Sequence, residues 1–542
     1  MRRSNRIRRA VSLVALCAGM AGAAMAEGYK VETLVPGSKF HGVHGLGISP
    51  EGALFAGSVI GQELYRVDRT SGAVTSEIAP PQGMADDIAF APDGTMAWTG
   101  FLTGQIFARA PGGEVRQLAE GLPGINSLAY GADGRLFATQ VFLADALYEI
   151  DPKGEAAPRK IAEGMGGLNG FEVGPDGKII GPLWFKGQVA RVDVESGAIE
   201  VVAEGFKVPA AVNLDSKGNI WVVDTALGEL VRLDPDGGNR KVVAQLSTSL
   251  DNLAIDDKDM IYVSNMADNG VQEINPETGA VRQVVKGALS MPSGLAIMAD
   301  GEKETLYVAD LFAYRSVDVA SGEVTDHARM QADHIEYPFN ARANGAHVVL
   351  SSWFTSTVQV MDRESGHSVK MMHGFAAPYD AVEMPDGSLL VLEVGTGQLT
   401  RVTGDEGETR EAVATGLVLP VGMVLDGQNA VWITEAGAGT VSRIDLGSGE
   451  KTVIAQGLAM PEGMDMAPDG RLIVAEVGKQ RVIAITPGEE GIEVLAEGLP
   501  VGMPAAAGMP PAYVPTGIAV GRDGAVYVSS DLDNSILKLS PQ

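Results

Sequence analysis

Of the 542 residues, 69 are Gly and 28 are Pro, which demands turns throughout but falls short of low-complexity disorder. A hydrophobic content of 45% is enough for a core, and the length suggests two or more domains. Lys and Arg number 41 against 69 Asp and Glu, a formal net charge of −28. Such a surface repels phosphate backbones and anionic lipid, so nucleic acid is excluded as a partner and cations are the natural counterparts.

The first element in chain order reads as an export signal. Arg2, Arg3, Arg6, Arg8 and Arg9 form a basic n-region, residues 10–24 are mostly apolar, and Ala24-Met25-Ala26 is an A-x-A cleavage site. Residues 1–26 are therefore expected to be a signal peptide. They carry five Arg and no acid, so the remainder stands at −33. Cys17, the one cysteine, lies inside this segment, which leaves the mature chain without thiol or disulfide. No later stretch is apolar enough to span a bilayer. The expected location is periplasmic or secreted, with no membrane insertion.

The rest of the chain is one repeat, twelve times over. Each unit is a short apolar strand, a turn such as Pro-Asp-Gly, a second apolar strand, a polar loop, and a strand ending in Arg-x-Asp or similar. The stretch PAAVNLDSKGNIWVVDTALGELVRLDPDG from Pro209 is a clear copy. The first turn recurs from Gly52 to Gly524 at a period of about 43 residues. Four strands in that length make one β-propeller blade. The expected fold is all-β: two tandem six-bladed β-propellers with twelve four-stranded blades, since one ring of twelve would leave a wide empty channel.

The last repeat stops three strands after its start and needs a fourth. Two orphan segments stand before the first and seventh repeats, residues 29–35 and 280–285. The simplest closure gives each propeller its own first strand, with domains 27–278 and 279–542. The alternative assigns 280–285 to the first propeller and lets the N-terminal strand cross to the second.

First strands begin at the channel mouth, so the residues eight before most turn glycines form a ring there, with Asp380 seven before its own. In propeller one the ring is His44, Asp86, Asn126, Asn169, Ala210 and Asp251; in propeller two it is Ser293, Asn340, Asp380, Val421, Glu462 and Thr516. Oxygen ligands converging on an axis suit a hard cation such as Ca2+ or Mg2+. The candidate metal ligands are Asn126, Asn169, Asp86, Asp251, Asn340, Asp380 and Glu462. His44, Asp86 and Asp251 are the candidate catalytic groups. A second ring ends the second strands and is rich in acid in propeller two: Asp310, Glu393, Glu435 and Glu476. The favoured reading of these acids is as acceptors for the loop that follows. Trp184, Phe185, Trp353 and Phe354 follow second strands and are candidate walls for a small organic substrate. The Pro- and Met-rich segment 499–515 lies on the same side as a candidate lid of propeller two.

The segment NGFEVGPDG at residues 169–177 resembles the N-G-[LI]-x-x-[SG]-P-D-G stretch of the gluconolactonase / senescence-marker / luciferin-regenerating family, in the strictosidine synthase-like group of six-bladed propellers. The resemblance implies a lactonase whose divalent cation, Ca2+ first and Mg2+ or Zn2+ next, sits at the channel mouth on a Glu, two Asn and an Asp. Asn126 and Asn169 match the two asparagines by repeat position. His44 stands where the Glu should be and Ala210 where the Asp should be, with Asp86 and Asp251 as substitutes. VWITEAGAGTVSRID at 431–445 is similar to the repeats of virginiamycin B lyases, which open a cyclic ester by elimination. The expectation is an exported, metal-dependent hydrolase of a small ester or lactone. The alternatives are a non-catalytic scaffold binding a ligand or protein partner, and a C–O lyase.

Overall fold

A computed structural model describes residues 28–404 and 406–542. The expected signal peptide, with Cys17 and the expected cleavage site, lies outside them. The described chain forms twelve four-stranded antiparallel sheets, and its only helical elements are two 3-10 turns, Trp184–Lys186 and Val477–Lys479. No helix among the described residues is long and apolar enough to cross a membrane.

The strands follow from local chemistry. Ile220–Asp224 and Ile261–Asn265 are β-branched and aromatic runs, buried on both faces because each blade is packed between two others. The turn between first and second strands needs a left-handed residue. Gly52 supplies it at φ 80°, and Asp259 adopts the same region at φ 61° where the repeat has lost its glycine.

Adjacent blades share apolar clusters, and the clusters close two rings. Leu46, Ala56 and Tyr65 of blade one pack with Ala254, Tyr262 and Val271 of blade six. Leu295, Leu306 and Val308 of blade seven pack with Ala519, Tyr527 and Ile536 of blade twelve. The two rings of six are thus separate, and the twelve-blade periodicity divides as expected.

The closure differs from the simplest expectation. Val281–Val285 pairs with Gly270–Ile274 and completes blade six, which begins at Leu250. Tyr29–Val35 pairs with Ile536–Pro541 and completes blade twelve. Propeller one therefore closes on residues 281–285, and the strand 29–35 belongs to propeller two. The cause is local: Asn275 and Ala280 share a backbone hydrogen bond of 2.9 Å, so Val281–Val285 folds back as a tight hairpin on its sequence neighbour. The two chain crossings between the propellers run side by side, where the Ser38 hydroxyl donates to the Leu289 carbonyl.

The propellers are docked by buried charge as well as by apolar surface. Val59, Ile60, Met84 and Met266 of propeller one share one cluster with Phe312, Phe339 and Trp353 of propeller two. Arg315 is fully buried, pairs with Asp310 and Asp326, and donates across the interface to the Ala267 carbonyl at 2.6 Å. Arg329 reaches Asp268, Asn265 and the Thr248 carbonyl, each at 3.0 Å.

Candidate active site at the mouth of propeller one

The mouth residues are aimed by irregularities in the innermost strands. In blade one Val43 pairs with Ser58 but Leu46 pairs with Ala56, so His44 and Gly45 form a bulge. Blades three and six shift register in the same place, around Asn126 and Asp251. A bulge bends the strand and re-aims a side chain, here towards the axis. Gly45 also permits a close approach, since a Cβ there would sit 2.5 Å from the Asp86 carbonyl oxygen.

This convergence brings His44, Asp86 and Asp251 together. His44 Nδ1 lies 3.4 Å from Asp86 Oδ1 and 3.4 Å from Asp251 Oδ2. The three ligand atoms fall within 4.8 Å of one another, the single such group among the described residues. Burial alone would lower the imidazole. Its hydrogen bond to Asp251 and the charges of Asp251 and Asp86 outweigh that and raise it above its ordinary value. Burial pushes Asp86 well above the usual carboxylate range; His44 pulls it down, while Asp251 and Asp87 add to the rise. The cluster therefore holds a proton more firmly than its isolated members would. The far nitrogen of the ring, His44 Nε2, is buried without a hydrogen-bond partner.

Asn126 and Asn169 line the same cavity, and the Ser127 hydroxyl sits between their Oδ1 atoms at 2.8 and 2.9 Å. Ala210 offers no ligand. Beneath the ring, Asp87 is pushed up to about 7 by burial, against hydrogen bonds from Leu128, Ile88 and Asn252. Ser127, Asp87 and Asn252 were missed in the repeat pattern, although each directly follows a ring position. Further down the channel, burial also pushes Glu172 up to about 7, and its Oε2 accepts from the Leu214 N–H at 2.6 Å. Because the folded state binds this proton more tightly than the unfolded chain, stability falls as pH rises from about 4.5 to about 7 and the loss persists above. Glu172→Gln keeps the acceptor and removes the charge. It is expected to raise the melting temperature of propeller one at pH 8, by the equivalent of about 2–3 kcal/mol, and to leave it unchanged at pH 4. Calorimetry at the two pH values checks this.

Propeller two roofs the mouth. The cavity between them is about 570 Å3 and is lined from above by residues 330–337 and Phe354. Phe312 meets the His44 ring edge-on at a centroid distance of 5.3 Å. Tyr337 packs on Phe312 and Phe354, and its phenol is pushed up by burial and by the charges of Asp251 and Asp86. Of the four aromatic residues expected as walls, Trp184 and Phe354 line the cavity. Phe185 is 59% exposed at the rim against Phe142. Trp353 lies behind the wall, between Phe339 and Tyr379. The roof residues had no signal in the repeat, because inter-propeller docking leaves no trace in a blade period.

Asn340, Asp380 and Glu462 do not meet in an open mouth. Asp380 is fully buried, pairs with Arg342 at 2.8 Å, and accepts from the Ala381 and Met423 N–H groups. Glu462 accepts from the Thr516 N–H at 2.7 Å, and Asn340 Nδ2 donates to the Tyr379 carbonyl at 3.2 Å. The space beside them is about 10 Å3, the size of a single water. Residues 499–515 cover this end as expected: the Ala512 carbonyl accepts from Tyr379 and the Pro515 carbonyl from Ser293. The second-ring acids are structural too, with one difference. Glu393, Glu435 and Glu476 accept from N–H groups of the loop before each blade (Ala376, Val418 and Ala459), and Glu476 alone of the three also pairs with the loop that follows, through Lys479 at 2.9 Å.

Residues 180–311 match the family model described as SMP-30/Gluconolactonase/LRE-like region. No curated protein matches the chain. Among solved structures, virginiamycin B lyase from Staphylococcus aureus is 15% identical, with a TM-score of 0.38, covering 51% of this chain and 95% of its own. A gluconolactonase from Xanthomonas campestris is 13% identical, with a TM-score of 0.38, covering 47% of this chain and 90% of its own. The extracellular domain of a putative one component system from B. thetaiotaomicron covers 94% of this chain and 82% of its own, at 11% identity and a TM-score of 0.32. The matched residues run from blade four of propeller one into blade seven of propeller two.

Proposed function

We propose that the mouth of propeller one is the active site of a hydrolase for a small ester or lactone. The observation that carries this reading is His44, which lines the cavity between the propellers, with Nδ1 held by two carboxylates and Nε2 buried without a hydrogen-bond partner. This is the arrangement of a general base whose tautomer and orientation are set by acidic partners. Nε2 takes a proton from water as the water oxygen bonds to the substrate carbonyl carbon. The same proton passes to the alkoxide when the ester C–O bond breaks. Asp86 and Asp251 stabilise the imidazolium in between. The Oδ1 atoms of Asn126 and Asn169 share the single proton of the Ser127 hydroxyl, and their amide N–H groups are the donors available to the developing oxyanion.

The same donors fit a divalent cation. Nδ1 and two carboxylate oxygens within 4.8 Å of one another make a three-ligand set. An imidazole in the set suits Zn2+ better than Ca2+, which takes oxygen. A cation bound there would supply Lewis-acid polarisation of the carbonyl and a more acidic water.

The test is a panel of lactones and carboxylic esters, with product masses, run on purified protein before and after chelation and after reloading with Zn2+, Mn2+, Mg2+ or Ca2+. The expected result is a product heavier by one water, and no product from Asp251→Asn. Products of unchanged total mass would mark a lyase instead, and a panel inert under every metal condition would overturn the hydrolase. The leader-like residues 1–26 support a place outside the cytoplasm, which N-terminal sequencing of the exported chain at Glu27 checks.

A further inference from the structure

We infer that propeller two is the specificity cover of the propeller-one site, and that it selects lipophilic esters or lactones bearing a hydrocarbon or aromatic tail over sugar lactones. Three observations carry this. First, the lining above the floor is mostly apolar, with Phe101, Leu102 and Trp184 from propeller one and Phe312, Ile335 and Phe354 from propeller two, while the polar roof residues Gln331, Asp333, His334 and Glu336 are exposed or half-buried. A polyol set against those six apolar side chains would leave hydroxyls without partners, whereas a hydrocarbon tail there loses only water contact. Second, propeller two has no open mouth of its own, because residues 499–515 and the Arg342–Asp380 pair fill that end. Third, the roof is held in place. The Met330 carbonyl accepts from Ser249 of propeller one at 2.6 Å, and Arg329 is tied to Asp268 and Asn265. A cavity of about 570 Å3 with this lining fits a molecule of drug-like size.

The inference rests on the proposed site for the ester group at the floor, but it can be read by binding alone. N-phenyl-1-naphthylamine, a neutral lipophilic fluorophore, serves as the probe on the intact chain. Its displacement is measured with γ-butyrolactone, γ-octalactone, γ-dodecalactone and glucono-δ-lactone. Displacement is expected to tighten by up to about 4-fold per added methylene until the tail reaches the end of the wall, with glucono-δ-lactone the weakest competitor. Phe354→Ser and Phe312→Ala are expected to flatten the chain-length series, and Phe185→Ser, at the exposed rim, to leave it unchanged. The wild-type series decides the ligand class even if a roof variant does not fold. A series without chain-length dependence, glucono-δ-lactone competing as well as dodecalactone, or folded roof variants with an unaltered series would each overturn the inference. Chain-length-dependent binding without turnover of any lactone or ester under any of the metal conditions keeps the cover and sinks the hydrolase. Turnover of sugar lactones without chain-length preference does the reverse.

Discussion

His44→Gln is expected to lower kcat on any substrate of this site by about 100- to 10,000-fold, with KM changed little. Gln retains a polar group of similar reach that can face Asp86 and Asp251, so the floor keeps its shape. It lacks a nitrogen that can accept a proton. The loss should therefore fall on the chemical step and not on binding. Displacement of the naphthylamine probe should be the same in wild type and variant, which separates a lost base from a collapsed pocket. Equal losses in binding and turnover would return His44 to a structural role, as one more buried polar residue at a crowded axis.

The largest effect on stability is expected at Arg342, which has no part in that chemistry. Its guanidinium lies in the closed channel of propeller two. There it pairs with Asp380 through Nε and Nη2 and donates from Nη1 to the Met464 carbonyl at 3.1 Å. Burial pushes the Asp380 carboxyl up even with this partner beside it. Arg342→Met removes the partner and leaves a fully buried carboxylate, a loss of about 3–5 kcal/mol. The Arg342→Met, Asp380→Asn double variant should recover part of that, because Asp380 no longer carries a charge, while Asp465, which the Arg342 charge also stabilises, still loses its counter-ion. Calorimetry should show the propeller-two transition falling in the single variant and recovering in part in the double, with the propeller-one transition nearly fixed. Glu172→Gln moves the other transition, so the two substitutions control for each other.

The period of the turns sufficed to read twelve blades and two rings, and the position eight residues before each turn placed His44, Asp86 and Asp251 together at one mouth. Those are consequences of repetition, and repetition is visible in a single chain. Departures from the repeat were not. Asp380 and Glu462 occupy the same ring position as the propeller-one residues. Their fate was set by Arg342, two residues past the ring in blade eight, and by a lid whose contacts depend on Tyr379 and Ser293. Phe312 and Tyr337 reach the site only because the propellers dock through Arg315, Arg329 and Ser249, none of which follows a period. Counting connections favours one linker, whereas the chain closes propeller one with a hairpin between neighbours, which forms at less entropic cost than a strand exchanged across the molecule.

That closure makes propeller one an insertion inside propeller two. Val31 pairs with Leu539, 508 positions later, while blade six finds its last strand six residues after its third. During synthesis the first ring has every strand it needs once residue 285 is made. The second ring stays open, one edge of blade twelve unpaired, until the final strand arrives to meet a segment made first. The floor of the site is thus built early and its roof last, so a chain interrupted in the second half would display the apolar mouth of propeller one uncovered to whatever binds exposed hydrophobic surface.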